Sequence, residues 1–104
     1  PPPRSTPKTH RRQRQMCIRD RLGRGEALEA LGDTREAARA YLDSFSSDPT
    51  GPVAAQSLFR LGRSLGTLGQ TSEACVTLSE VAIRFPTDPA VAEAEQAKRS
   101  LSCP

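Results

Sequence analysis

The sequence has few of the side chains that carry chemistry. It holds no tryptophan, one tyrosine, three phenylalanines and a single histidine. That histidine is His10, within an arginine-rich leader, so Cys75 has no nearby base and a catalytic cysteine is not expected. Cys17, Cys75 and Cys103 stand far apart, and no Cys or His pair falls at ligand spacing, so neither a metal nor a cofactor is expected. No glycine-rich phosphate loop follows a strand, because no segment reads as a strand. Glu26 with Glu29, or Glu93 with Glu95, read as solvated helix surface before they read as acid–base pairs. No apolar run reaches the length of a membrane span, so no membrane insertion is expected. These absences argue against an enzyme.

The net charge of +3 is unevenly distributed. Residues 1–24 hold Arg4, Lys8, Arg11, Arg12, Arg14, Arg19, Arg21 and Arg24 against Asp20 alone, while residues 25–104 are acidic on balance. The leader, taken as residues 1–23, begins with Pro1-Pro2-Pro3 and has too little apolar surface to bury, which predicts disorder. Clustered arginines suit a nucleic-acid arm or a solvated tail. A third reading takes precedence: Met16-Cys17-Ile18-Arg19-Asp20-Arg21 resembles the conceptual translation of a sequencing-library adapter. The leader is therefore read as artefactual, with no function placed on it and no nucleic-acid partner expected. The remainder is expected to be a domain fragment, residues 24–104, whose native N-terminus is missing.

Alanine and leucine dominate the apolar residues and suit close-packed helices. Compared with itself at an offset of 37, the chain matches Gly25 with Gly62, Leu28 with Leu65, and Leu31-Gly32 with Leu68-Gly69. Thr34 matches Thr71, Glu36-Ala37 matches Glu73-Ala74, Tyr41 meets Leu78, and Pro49 and Pro52 meet Pro86 and Pro89. Leu58, Leu61, Leu65 and Leu68 predict one apolar helix stripe, with Gly62 allowing close approach and Gly69 ending the helix. Ala74, Leu78, Val81 and Ala82 predict the face of a second helix, closed by Phe85 and stopped by Pro86. In the weaker first unit, Asp33 and Glu36 form a capping box ahead of Ala37, Ala40, Tyr41 and Phe45. A helix from about Asp88 to Leu101 lacks a Leu-Gly pair and reads as a polar cap. The expected fold is all-α: tetratricopeptide-like helical hairpins, an α-solenoid fragment of about two units plus a capping helix.

Leu58-x₂-Leu61-Gly62-x₂-Leu65, then Gly69, Thr71, Ala74, Leu78, Val81 and Pro86, follow the tetratricopeptide pattern with its aromatic positions replaced by leucine. Three segments, 31–38, 57–65 and 68–75, together with Leu101-Ser102-Cys103, resemble the C-terminal repeat domain of the YbgF/CpoB family, the periplasmic Tol-Pal-associated cell-division coordinators. The resemblance implies a periplasmic protein-interaction module that binds TolA and the peptidoglycan synthesis machinery. Its implied role is to couple wall synthesis to outer-membrane constriction, with homo-oligomerisation through a coiled coil absent from this sequence. A repeat scaffold of an outer-membrane protein assembly complex is the alternative.

Tetratricopeptide arrays resemble one another in presenting the first helix of each pair on a groove. By repeat position this points to Glu26, Glu29, Gln56, Phe59, Arg63 and Thr67. Arg63 could meet a partner carboxylate, and Phe59 could be an apolar anchor or fill the interface with an upstream repeat. Cys75 and Cys103 flank a helical hairpin turning near Pro86–Asp88, which brings them towards the same end. In a periplasmic domain they could form a disulfide adding about 3 kcal/mol. The alternative is a buried Cys75 and a free Cys103.

Overall fold

The computed structural model describes residues 21–104, so most of the expected leader lies outside the described residues. All regular elements among the described residues are α-helices: α1 (residues 21–30), α2 (Thr34–Ser47), α3 (Ala54–Thr67), α4 (Thr71–Arg84) and α5 (Ala90–Ser100). The expected helical-hairpin architecture is observed. α1 meets α2 through Gly25, Glu29 and Tyr41 to make one hairpin, α3 with α4 makes the other, and α3 packs on α2, α4 and α5. One boundary differs from expectation. Arg21, Leu22 and Gly23, assigned to the leader, are helical and continuous with the rest of α1, with half-buried Leu22 one turn before buried Gly25 on the same face.

Both hairpins close by the same device. A Cβ on Gly25 would fall 2.4 Å from Tyr41 Cε1, and one on Gly62 would fall 2.8 Å from Leu78 Cγ and Cδ2. The large residue of each second helix thus lies directly on the backbone of the first. Tyr41 and Leu78 are both fully buried. The main core gathers Ala55, Leu58 and Phe59 of α3, Leu78 and Val81 of α4, and Ala90 and Ala94 of α5. Burying a side chain such as Leu78 contributes about 1.5–3 kcal/mol.

α3 departs from the single expected stripe. Leu58 is buried, but Leu61, Leu65 and Leu68 are half-buried, while Ala54, Ala55, Ser57, Phe59, Gly62 and Ser64 are enclosed. The reason is position: a helix with neighbours on several sides buries more than one face, and small residues permit that closeness. Between α2 and α3, Ser44 Oγ and Ser57 Oγ lie 2.8 Å apart in a buried hydrogen bond.

The ends of α1, α3 and α5 share one geometry. Gly32 and Gly69 have φ of 85° and 86°, and Ser102 follows with φ of 57°. In each case the next N–H reaches back five residues: Asp33 to Leu28 O, Gln70 to Leu65 O, and Cys103 to Lys98 O. This is the Schellman turn, for which glycine is the usual residue. Leu101-Ser102 therefore stands where the other units have Leu-Gly, and α5 ends as a first helix ends. Most of its exposed positions are polar, with Glu93, Gln96, Arg99 and Ser100 among them. Its inner face places Ala90, Ala94, Ala97 and Leu101 against the core. On α2, Asp33 caps as expected, accepting from Glu36 N at 3.4 Å.

Candidate protein-binding groove

α1 and α3 lie side by side, and their facing edges carry opposite charge. Arg60 Nη2 lies 3.1 Å from Glu26 Oε2, and Arg63 Nη2 donates to both oxygens of Glu29 at 2.9 and 3.0 Å. Arg60 also comes within 4.0 Å of Glu29. The Tyr41 hydroxyl, from α2, donates to the same Glu29 carboxylate. Burial first, and then the hydrogen bond to Glu29, pushes the Tyr41 pKa up to about 12. Three helices thus meet at one carboxylate.

This network engages three of the residues expected to face a partner. Arg63 finds its carboxylate within the chain, on Glu29, because α1 runs beside α3 within its reach. Glu26 and Glu29 are likewise engaged with Arg60 and Arg63 instead of being held out for a partner. Arg60 and Tyr41 were not singled out from the sequence as members of the site. A signal existed: the acidic pair Glu26 and Glu29 precedes the basic pair Arg60 and Arg63 by the same 34 residues.

An open groove of about 420 Å³ runs between α3 and α5. α3 supplies Phe59, Arg63, Gly66 and Thr67; α5 supplies Glu93, Gln96, Ala97 and Ser100, and Leu101 completes the wall. Phe59, Arg63 and Thr67 are therefore brought together here, whereas Gln56, Glu26 and Glu29 are not part of its lining. Phe59 is only 4% exposed and belongs to the core, so it is a floor and not a projecting anchor. It faces α5 instead of an upstream repeat, and the Arg63 guanidinium lies 5.4 Å from its ring centroid. The residues of α5 escaped sequence reasoning because a helix read only as a cap was given no groove to line.

Cys75 of α4 and Cys103 beyond α5 are joined by a disulfide, with Cα atoms 5.7 Å apart. No cluster of three or more His, Cys, Asp or Glu side chains among the described residues could hold a metal ion. Nor, among those residues, is any helix long and apolar enough to cross a membrane.

A helical-hairpin fold with a groove between successive first helices defines a class, the α-solenoid interaction scaffold. The profile of the tetratricopeptide repeat family matches residues 56–88, which span most of α3, all of α4 and the turn towards α5. The match supports a tetratricopeptide repeat domain, and such repeats are protein–protein interaction modules. No curated protein shows significant similarity to the chain.

Proposed function

We propose that this chain is a periplasmic interaction module of the YbgF/CpoB type, non-catalytic, that links peptidoglycan synthesis to outer-membrane constriction by binding TolA-like and wall-synthesis proteins. The observation that carries the binding role is the α3–α5 groove. It has an apolar floor of Phe59, Ala97 and Leu101, and polar side chains along both walls. A peptide or helix laid in it would bury apolar side chains on that floor and meet Gln96, Ser100 and Thr67 at the rim. The Cys75–Cys103 disulfide suits an oxidising compartment such as the periplasm. The segments at 31–38, 57–65 and 68–75 carry the likeness to the Tol-Pal-associated family.

Titration calorimetry of the purified chain against the periplasmic region of TolA tests this reading. Saturable binding, weakened by Gln96→Ala and by Ala97→Glu, is the expected result. No binding to TolA, together with saturable binding to a purified outer-membrane assembly component, would transfer the module to the alternative scaffold.

A further inference from the structure

Leu101 closes the α5 end of the groove, and it is held there from two sides. On one side it packs on α3 where Gly66 has no side chain; a Cβ at Gly66 would stand 3.0 and 3.1 Å from the two Leu101 methyls. On the other side, two residues further on, Cys103 is bonded to Cys75 of α4. The residue between them is Ser102, with φ of 57°. That conformation is left-handed, costly for a residue with a Cβ, and it occupies the place where α1 and α3 use glycine. The turn is otherwise held by backbone hydrogen bonds from Ser102 N to Arg99 O and from Cys103 N to Lys98 O. Without the covalent bond, the packing of Leu101 on the core, its N–H bond to Ala97 O and the two terminal hydrogen bonds are left to hold the wall against an unfavourable dihedral.

Resting on the groove as the binding site, we propose that the Cys75–Cys103 disulfide is a redox latch that completes the groove when oxidised and opens its α5 end when reduced. The reductant is a dithiol. One of its thiolates attacks a sulfur of the disulfide, the protein S–S bond breaks, and a mixed disulfide forms. The second thiol then displaces the protein sulfur, leaving a cyclic disulfide of the reductant. Two electrons and two protons end on Cys75 and Cys103 as thiols. The Ser102 turn then relaxes, Leu101 withdraws from Gly66, and the groove loses its end wall. The remaining core is untouched, because Ala90 and Ala94 keep α5 seated by their own burial.

The test uses the full chain carrying Cys17→Ser, so that no third thiol can exchange, studied oxidised and then reduced with dithiothreitol. In the oxidised protein, nuclear Overhauser effects should connect the Leu101 methyls to the Gly66 α-protons. Reduction should abolish them and speed amide exchange at Ser102 and Cys103 by about tenfold or more, with Leu78 and Val81 unchanged. Cys103→Ser should behave as the reduced protein does. In the reduced protein, Ser102→Gly should restore part of the lost protection, since glycine adopts the turn freely. Unaltered Leu101 contacts on reduction would overturn the latch. So would loss of protection at Leu78 and Val81 together with Cys103, which would make the disulfide a staple of the whole fold. These readouts need no partner, so their failure is distinct from a failure of the groove to bind.

Discussion

Leu78 rests on the backbone of Gly62 so closely that a methyl group there would stand 2.8 Å from both its Cγ and its Cδ2. Leu78 is wholly enclosed and cannot swing aside. Gly62→Ala gains about 1 kcal/mol of helix propensity. It loses about 1–3 kcal/mol to overpacking, so a net loss is expected in urea unfolding. Gly66→Ala meets only the methyl ends of half-buried Leu101, at 3.0 and 3.1 Å, and should be close to neutral by the same measurement.

Tyr41 is the one tyrosine in a chain without tryptophan, so its ionisation can be read directly by absorbance. In the folded protein the transition is expected near pH 12, against the ordinary 10.0 in denaturant. Because the native state holds that proton more tightly than the unfolded chain, the associated stabilisation is complete below pH 10 and is lost as pH rises towards 12. Tyr41→Phe should flatten the fall in stability across that window. A folded-state midpoint at 10 would contradict the buried, Glu29-bound hydroxyl.

Glu29 joins a part-exposed ion pair to a buried hydroxyl, and the two should separate on mutation. The Arg63 side chain is 41% exposed, so Arg63→Ala is expected to cost no more than about 1 kcal/mol, and less in high salt. Glu29→Ala also leaves the Tyr41 proton without its acceptor and should cost about 1–3 kcal/mol, with a salt-insensitive part. Denaturation at two ionic strengths distinguishes these contributions.

Ser44 and Ser57 share a hydrogen bond in the seam between α2 and α3. Ser57→Ala should cost about 1 kcal/mol, and the double alanine variant should cost less than the sum of the two single changes. Additive losses in a double-mutant cycle would mean that the two hydroxyls are not coupled.

The hairpin plan was legible because close packing leaves a sequence mark. Gly25 with Tyr41 and Gly62 with Leu78 repeat at one offset, and the structure places each pair in contact. The faces of α3 were less legible. A leucine stripe marks one side of a helix, but the extra enclosure of Ser57, Phe59 and Ser64 depends on how many neighbours α3 acquires. The groove was half legible, since Phe59, Arg63 and Thr67 follow from repeat position on α3. Its opposite wall depends on α5 acting as a first helix, and serine in place of glycine at position 102 hid that sign. The pairing of Arg63 with Glu29 depends on the lateral spacing of α1 and α3, which the 37-residue repeat does not encode and only the shared 34-residue separation of the two charged pairs hints at.

The three left-handed turns at Gly32, Gly69 and Ser102 also indicate where this architecture can tolerate changes of length. The interval is 37 residues from the first turn to the second and 33 from the second to the third, yet the turns retain the same hydrogen bonding. The difference is taken up before the turn, in the 14 residues of α3 against 11 in α5 and in the connections leading into them. The turns are thus the fixed joints of the chain, and the starts of the first helices are its adjustable ones. Residues inserted at 49–53 or 86–89 should lengthen a connection without shifting the stacking, whereas one residue added within 66–71 would rotate everything that follows.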